Sequence, residues 1–413
     1  MIKRGECDCC IVGGGPAGLM LGLLLARAGC SVSVLEKHAD FLRDFRGDTI
    51  HPSTMEVMYE LGLLERFKQL PQQKVTTLAG MFGTERIQIA DFSHLPVQAP
   101  YISLMPQWDF LNFLAREAQR YSKFELHMQQ EATGLIEHDG VVKGVRVQTG
   151  DGESEVLARL TVAADGRSSR MRELAGLKVR NLGAPMDVLW FRLTRLAEDP
   201  EETFGRFEAG GIIVMLNRGT YWQCAFVIPK AGLDAIKEAG LPAFRKTLER
   251  LLCLPADRVS EITSWDQIKL LTVLVDRLEN WSKPGLLCIG DAAHAMSPIG
   301  GVGINLAVQD AVAAANLLAG PLRKSSFDQD LLRRVQERRE WPTRVTQRLQ
   351  LLIQNNVIVP MLEARQQRRP PLFVRLLARS PWLRRLPARF IGLGVRPEHV
   401  NLEIQNAGRR DMR

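Results

Sequence analysis

The 413-residue sequence is poor in the features that mark several common protein classes. Its longest apolar run near the N-terminus, residues 19–26, is far shorter than the roughly 20 residues that cross a bilayer. That run follows a glycine-rich turn, so we interpret it as a buried helix and not as a signal sequence. The seven cysteines include no second ligand pair at zinc spacing and no Cys-x-x-x-x-Cys pair after the glycines. We therefore expect buried thiols in a reducing cytoplasm and no metal site.

Acidic residues are scarce towards the C-terminus. The whole chain carries 54 Lys and Arg against 46 Asp and Glu, a net charge of +8. Residues 346–413 read as a basic helical segment with two interpretations: a cap with a solvated basic face, or a peripheral membrane contact. Nucleic-acid binding is not expected, because no recognised binding module accompanies the charge. Nine arginines between residues 365 and 396 are interleaved with apolar residues: Arg365, Arg368, Arg369, Arg375, Arg379, Arg384, Arg385, Arg389 and Arg396.

The most informative stretch lies at the N-terminus. A short apolar segment, residues 9–12, has the pattern of a buried parallel strand, and Gly13, Gly15 and Gly18 follow it as Gly-x-Gly-x-x-Gly. Glycine serves here for a tight turn, for close approach of backbone N–H groups to a pyrophosphate, and for close packing of helix on strand. The pyrophosphate is expected at the positive end of the helix that starts near Ala17.

A second strand, Ser31–Leu35, ends in Glu36 at the spacing where a carboxylate can accept both hydroxyls of an adenosine ribose. Strand, glycines, helix, strand and terminal acid in this order predict a dinucleotide site. Arg46 lies just beyond the second strand, where a guanidinium could reach a phosphate or the flavin side of a dinucleotide.

Two later motifs also place polar groups at strand ends. The strand 160–164 runs into Asp165-Gly166-x-x-Ser169-x-x-Arg172, where Asp165 either serves an anionic ligand or caps the following helix. A third strand, 286–290, runs into Gly290-Asp291, and a loop and a long helix follow. Backbone N–H groups at the N-terminus of that helix could support negative charge. The loop residues are Pro298, Gly301, Val302, Gly303, Ile304 and Asn305. His294 lies between Asp291 and Pro298 and is either a proton shuttle or a residue that orients the loop.

Residues 181–272 differ in character, with dense aromatic and β-branched residues and one helix, Leu241–Leu252. They predict an antiparallel sheet with one core face and one face that lines a cavity. Alternation puts Tyr221 and Gln223 on one face and Trp222 and Cys224 on the other. We predict that the face of Tyr221 and Gln223 contacts the substrate, because a polar group among apolar ones can fix its orientation.

The three motifs together resemble the signatures of the group A FAD-dependent aromatic monooxygenases, whose type member is para-hydroxybenzoate hydroxylase. The resemblance covers roughly residues 7–345 and implies non-covalent FAD. The residues that it assigns to the cofactor are Gly13, Gly15, Pro16, Ala17, Gly18, Glu36, Lys37, Arg46, Gln107, Asp165, Gly166, Gly290, Asp291, Pro298, Gly301, Val302, Gly303, Ile304 and Asn305. Pro298, Gly301, Gly303 and Asn305 would form the loop beside the isoalloxazine, and no definite acid or base is assigned.

The chemistry that the resemblance implies uses NAD(P)H to reduce the flavin and O2 to form a C4a-hydroperoxyflavin, which hydroxylates a hydrophobic, aromatic or polyketide-like small molecule. No second nicotinamide-binding fold and no Trp-x-Trp-x-Ile-Pro halogenase motif are visible. Two alternatives stay open: an FAD-dependent epoxidase or reductase of an isoprenoid or quinone, and a flavin-binding protein without turnover.

The predicted fold class is α/β. A discontinuous Rossmann-like FAD-binding domain with a parallel sheet is expected from residues 1–75, 105–180 and 273–345. A mostly antiparallel substrate domain is expected from residues 76–104 and 181–272, followed by the helical C-terminal segment. The protein is expected in the cytoplasm.

Overall fold

Short apolar stretches that are buried on both faces form the parallel part of the first sheet, as is usual where helices cover both sides. The computed structural model describes residues 2–3, 6–42, 49–252, 254–324, 328–366 and 370–410. Within them the first sheet has nine strands, and Gly152–Ala163 pairs in parallel with both Cys7–Val12 and Leu286–Cys288. Its strands are Ile2–Lys3, Cys7–Val12, Val32–Leu35, Phe124–His127, Glu131–His138, Val141–Thr149, Gly152–Ala163, Ser282–Lys283 and Leu286–Cys288.

The helix Pro16–Arg27 packs in the core of this part of the molecule. Eleven of its residues, 17–27, are buried, and it contacts the helices Gly303–Arg323 and Gln107–Ala118. Gly303–Arg323 belongs to the helical stretch 299–323, the one candidate membrane span among the described residues by length and composition. Because 83% of its apolar window is buried inside the protein, we interpret it as a core helix.

A second sheet is mostly antiparallel and, in the described part of the chain, has seven strands. Their spatial order is Lys269–Leu271, Met186–Thr194, Tyr221–Pro229, Gly211–Asn217, Phe204–Glu208, Thr77–Phe82 and Glu85–Asp91. One face, which we call the helix-side face, packs Phe191, Cys224 and Phe226 against Phe244 of the helix Leu241–Leu252. The other, the loop-side face, carries Val188, Ala225 and Val227. The mixture of parallel and antiparallel sheets with helices confirms the predicted α/β class.

Smaller elements complete the fold. Two small sheets pair Thr49–Ile50 and Gln73–Val75 with Ile102–Leu104, and Val179–Asn181 with Asp276–Leu278. The remaining helices before residue 303 are Pro52–Glu60, Leu64–Lys68, Arg170–Leu174, Leu233–Ala239 and Ala256–Val259, with 3-10 turns at Trp265–Gln267, Gly290–Ala292 and Ile299–Gly301.

The C-terminal part is helical. Asp330–Ile353 continues into a π-helix, Gln354–Ile358, and then come Val359–Leu362, Leu372–Arg379, Arg385–Gly392 and Leu402–Arg410. The sequence predicts that Pro342 starts or kinks an element, but no element starts there: Pro342 lies inside Asp330–Ile353. A proline inside a helix removes one N–H donor but leaves its carbonyl available. The Pro342 carbonyl accepts a hydrogen bond from Thr346 Oγ1 at 2.9 Å.

The cysteines show no sign of metal chemistry where the structure describes them. Cys9, Cys10, Cys30, Cys224 and Cys288 are buried and unpaired, and Cys253 lies outside the described residues. Burial raises the pKa of Cys9 and of Cys10 well above the usual value, so both stay protonated. No group of three or more His, Cys, Asp or Glu side chains in that part of the chain is arranged to hold a metal.

Candidate active site

The three glycines of the first motif have three different surroundings. A Cβ on Gly13, which has a φ of +108°, would lie 2.4 Å from the Ala164 carbonyl oxygen, and a Cβ on Gly18 would lie 2.0 Å from the Gly13 carbonyl oxygen. Neither position can carry a side chain. A Cβ on Gly15 would meet nothing within 4 Å, and no side chain caps the helix that Gly15 precedes. The turn is thus packed on its protein side and open at the helix N-terminus, an arrangement that suits a phosphate.

Glu36 lies at the end of the strand Val32–Leu35 and is 9% exposed. Its carboxylate oxygens accept hydrogen bonds from the Gly14 N–H at 3.0 Å and the His38 N–H at 3.1 Å. An ionised carboxylate is a pure acceptor, and hydroxyl groups are among the donors that suit it. The acid therefore sits beside the glycine turn, as the spacing predicts.

In the second motif, Asp165 caps the helix Arg170–Leu174. It accepts from Ser169 Oγ at 2.6 Å and from the Met171 N–H at 3.1 Å, while Ser169 Oγ accepts from the Arg172 N–H. Burial raises the pKa of Asp165 above its usual value, against the opposing effect of these bonds. Of the two interpretations of Asp165, the capping one is seen directly.

The second and third motifs meet through arginines. Arg167 Nη2 lies 3.6 Å from Asp291 Oδ2, and Arg172 Nη2 lies 3.3 Å from Asp276 Oδ2. Arg172 also donates to the Ala292 carbonyl at 3.4 Å. These contacts connect the segments that follow two neighbouring parallel strands, Gly152–Ala163 and Leu286–Cys288.

His294 is buried in an ionic network. Its Nε2–H donates to Asp310 Oδ2 at 2.6 Å, and Asp310 also accepts from the Gly290 N–H at 3.0 Å and from Arg339 Nε at 2.9 Å. Burial raises the pKa of Asp310, but His294 and Arg339 outweigh this effect and hold the pKa below its usual value. With 1% of its side chain exposed, His294 has the geometry of a residue that orients the loop.

The loop Pro298–Asn305 is shaped by two left-handed glycines and one asparagine. A Cβ on Gly301, with a φ of +63°, would lie 2.3 Å from Thr49 Oγ1. Asn305 Oδ1 accepts from the His51 N–H at 2.9 Å and from Thr54 Oγ1 at 2.7 Å. A Cβ on Gly303, by contrast, would meet nothing within 4 Å, and no side chain caps the helix that starts there. The loop therefore leaves a second open helix N-terminus.

Sequence reasoning missed the residues that hold this loop from behind. Gln347 Nε2 donates to the Ala295 carbonyl at 3.1 Å, and Gln350 Nε2 donates to the Ser297 and Ile299 carbonyls, both at 2.9 Å. We call Gln347, Gln350 and Gln354 the glutamine ladder; their exposures are 0%, 2% and 0%. The available signal is a stripe of uncharged polar residues at helical spacing on a helix whose other positions carry many arginines.

The remaining predicted residues have less informative surroundings. Gln107 is the first residue of the helix Gln107–Ala118 and is partly exposed, whereas Lys37 is exposed. Val302 and Ile304 are both 7% exposed. Arg46 lies outside the described residues.

Tyr221 and Gln223 lie on the loop-side face of the second sheet. The Arg192 guanidinium lies 4.9 Å from the centre of the Tyr221 ring, and Gln223 Oε1 accepts from Arg218 Nε at 3.0 Å. Gln223 is four residues from Val227, or about 13 Å along the strand. Val227 belongs to the cluster against which Ile299 packs. Ile299 lies in the loop Pro298–Asn305, which we call the flavin loop.

The fold and these motifs define a dinucleotide-binding protein of the flavoprotein type, and the site fits FAD. No side chain caps the helix N-termini at Gly15 and Gly303, and the space beside both glycines is empty of protein atoms. The first end suits a pyrophosphate and the second suits an electron-rich edge of the flavin ring. Glu36 lies beside the first of them and suits the ribose hydroxyls.

Comparison with known proteins also indicates an FAD-binding protein. A model of the FAD binding domain family matches residues 6–349. The 6-methylpretetramide 4-monooxygenase of Streptomyces rimosus is 33% identical over 351 residues, which are 84% of this chain and 83% of that protein. The rifampicin monooxygenase of Streptomyces venezuelae is 30% identical over 74% of this chain and 62% of its own length. A crystal structure of a p-nitrophenol 4-monooxygenase from Pseudomonas putida has a TM-score of 0.75 and 18% identity, covering 93% of this chain and 97% of that one.

The chain belongs to this FAD-binding family and is an FAD-dependent monooxygenase, an oxidoreductase of the group A type. The predicted cofactor, FAD, and the predicted enzyme class are confirmed. NAD(P)H is the usual reductant of the family, and O2 and a small organic molecule are its other substrates.

Proposed function

We propose that this enzyme hydroxylates a hydrophobic, aromatic or polyketide-like small molecule of the kind that 6-methylpretetramide represents. The observation that carries the proposal is the apolar loop-side face of the second sheet. Ile299 of the flavin loop packs against a cluster of Met186, Ile212 and Val227 from this sheet and Ile358 and Met361 from the C-terminal helices. A site between an apolar sheet and a flavin loop suits an apolar, flat acceptor.

The residues of this chain bind FAD and the acceptor, orient the acceptor and exclude water from the reacting region. FAD, when bound, supplies the activation of O2. Residues 13–18 would hold the pyrophosphate of FAD and Glu36 would hold its ribose. Gln350 holds the loop from behind, and the loop-side face shields the reacting region from water. No nucleophile or acid–base pair of the protein is needed.

The decisive experiment measures oxygen incorporation. Protein loaded with FAD is incubated with NADH or NADPH, ¹⁸O2 and 6-methylpretetramide, with 4-nitrophenol as a second acceptor. We expect NAD(P)H oxidation that depends on the acceptor and a product that is heavier by one ¹⁸O atom. NAD(P)H oxidation without oxygen incorporation would instead indicate a reductase, and no oxidation with any acceptor would indicate a flavin-binding protein without turnover.

The position of the acceptor on the sheet is tested by a pair of variants. We propose that Tyr221 and Gln223 on the loop-side face contact the acceptor, whereas Cys224 packs on the helix-side face. Gln223→Ala should alter acceptor affinity and the coupling of NAD(P)H use to product, and Cys224→Ala should alter neither. The opposite pattern would place the acceptor elsewhere.

We further propose that the basic C-terminal helices contact an anionic membrane surface. From residue 364 to residue 397 the sequence contains nine arginines and no acidic residue. Apolar side chains on the helices Leu372–Arg379 and Arg385–Gly392 and in the turn between them are exposed to water, an arrangement typical of segments that lie in the membrane interface. The exposed apolar residues are Leu372, Phe373, Leu376, Trp382 and Leu386, with exposures of 74%, 51%, 55%, 65% and 59%.

Vesicle sedimentation tests this contact. We expect the protein to sediment with phosphatidylglycerol-containing vesicles at low salt, and not with pure phosphatidylcholine vesicles. The double variant Leu372→Ser/Leu376→Ser should weaken the binding by about tenfold or more. Leu352→Ser is the matched control, because Leu352 is 58% exposed on a different helix. Equal sedimentation of both variants, or none of the wild type, would contradict the contact.

A further inference from the structure

Gln354 stands at the junction where the helix Asp330–Ile353 becomes the π-helix Gln354–Ile358. Its side chain is fully buried, with 0% exposure. Its Nε2 donates to Ser297 Oγ at 2.8 Å, but its Oε1 has no hydrogen-bond partner within the described residues. Single π-helical turns inside α-helices often occur at functional sites. Gln354 therefore differs from Gln347 and Gln350, whose oxygens and nitrogens both have partners.

The position of Gln354 relates it to both walls of the acceptor site. Ser297 directly precedes Pro298, the first residue of the flavin loop, and its Oγ also accepts from the Ile299 N–H at 3.4 Å. The neighbours of Gln354 on the helix, Ile353 and Ile358, belong to the cluster that covers the loop-side face of the second sheet. Gln354 thus lies where the flavin loop meets that face.

The amide chemistry makes the unpartnered oxygen a fixed acceptor. Nε2 and Oε1 share one planar carbon, so the bond to Ser297 that holds Nε2 also sets the direction of Oε1. Proteins pair nearly all buried polar atoms, because a buried acceptor without a donor is destabilising. Beside the apolar cluster on the loop-side face, such an acceptor suits a ligand hydroxyl and discriminates against a ligand that lacks one.

We propose that Gln354 is a substrate-binding residue whose Oε1 accepts a hydrogen bond from a phenolic hydroxyl of the aromatic acceptor. The inference rests on the proposed function, since it presumes an aromatic acceptor between the flavin loop and the sheet. It narrows that function to acceptors that carry a free hydroxyl group, and it assigns their orientation to the C-terminal helices as well as to the sheet.

The test compares two probes that differ only in the donor: 1-naphthol and 1-methoxynaphthalene. Dissociation constants are measured by calorimetry on FAD-loaded protein without NAD(P)H, so turnover is not needed. The wild type should bind 1-naphthol about tenfold or more tightly than the ether. Gln354→Leu should abolish this preference by weakening 1-naphthol binding alone. Gln354→Glu, which keeps an acceptor oxygen, should still bind 1-naphthol more tightly than the ether. It replaces the leucine variant in the comparison if that variant does not fold.

Asn356→Ala is the matched control. Asn356 lies in the same π-helix, but it is exposed and its Nδ2 donates to the Leu352 carbonyl one turn earlier at 2.9 Å. This variant should bind both probes like the wild type. The proposal is overturned if the wild type binds neither probe or binds both equally, or if Gln354→Leu and Gln354→Glu weaken both probes to the same extent.

The two proposals can fail separately. A protein that prefers 1-naphthol through Gln354 but incorporates no oxygen contradicts the hydroxylase function and supports the binding assignment. A protein that transfers oxygen to aromatic acceptors without any preference for the hydroxyl contradicts the assignment of Gln354 alone.

Discussion

At the scale of single residues, Glu36 is the acid that we predict to bind the ribose of FAD. It is nearly buried beside the glycine turn and accepts from the Gly14 N–H. Glu36→Ala should weaken FAD binding by about 1–3 kcal/mol through the loss of charge-assisted hydrogen bonds. Fluorescence titration of apoprotein with FAD measures the change, and Glu238→Ala, an exposed carboxylate on the helix Leu233–Ala239, is the control. A wild-type protein that shows no flavin spectrum after incubation with FAD would contradict the site itself.

His51 predicts a pH dependence of stability. It is fully buried, its Nδ1–H donates to the Ile391 carbonyl at 2.7 Å, and burial lowers its pKa from 6.5 to about 4 despite that bond. Between pH 6.5 and 4 the unfolded chain binds a proton at His51 and the folded protein does not, so stability falls as the pH falls. The loss approaches about 3 kcal/mol near pH 4.

Urea denaturation between pH 7 and pH 4 tests this dependence. The free energy of unfolding of the wild type should fall more steeply than that of His51→Gln, which cannot titrate. His138→Gln, at a histidine whose side chain is 78% exposed, should follow the wild type. Parallel curves for the wild type and His51→Gln would show that His51 does not contribute.

At the scale of elements, Gly303 is the first residue of the helix that follows the loop Pro298–Asn305. A side chain there meets open space and not protein, so Gly303→Val should leave the fold intact. It should nevertheless fill the region that the flavin ring needs and lower the rate of flavin reduction or of coupled product formation by about tenfold or more. Gly320→Val, which also meets open space in the same helix, is the matched control. Full coupled activity of the Gly303 variant would place the flavin elsewhere.

At the scale of the whole molecule, a buried ionic network joins four separate parts of the chain. Asp310 on the helix Gly303–Arg323 binds Arg339 on the next long helix and His294 within the third motif. Arg339 Nη1 also lies 3.4 Å from Glu398 Oε1 in the C-terminal segment. These contacts connect the Gly290 turn to the C-terminus.

Removing one partner of this network leaves buried charges unpaired. Arg339→Ala should therefore lower the free energy of unfolding by about 3–5 kcal/mol. Arg333→Ala in the same helix removes an exposed pair with Glu337 and should cost no more than about 0.5 kcal/mol. Thermal and urea denaturation of the FAD-loaded protein measure both values. Similar losses in the two variants would mean that the buried network contributes no more than a surface pair.

The sequence by itself determined the FAD-binding motifs, because their requirements are local. A tight turn, a close backbone approach and an open helix N-terminus each demand glycine at particular positions within a few residues, as at Gly13, Gly15 and Gly18. The strand ending in Glu36 and the helix Leu241–Leu252 follow from apolar periodicity in the same local way. These patterns were sufficient for the α/β class and a dinucleotide site, and the resemblance of the three motifs to a known family added FAD and the enzyme class.

Only the tertiary structure decided which polar residues are buried and what they bind. The glutamine ladder has the pattern of a solvated helix face, yet it is buried, because the loop 295–299 needs donors for its carbonyl groups. The role of His294 depends on Asp310, 16 residues away, and on Arg339 beyond it. The sheet faces differ because the helix Leu241–Leu252 covers one of them, whereas Ile358 and Met361 of the C-terminal helices pack on the other. Such contacts join residues distant in the chain, and the spacing of residues along a sequence does not specify them.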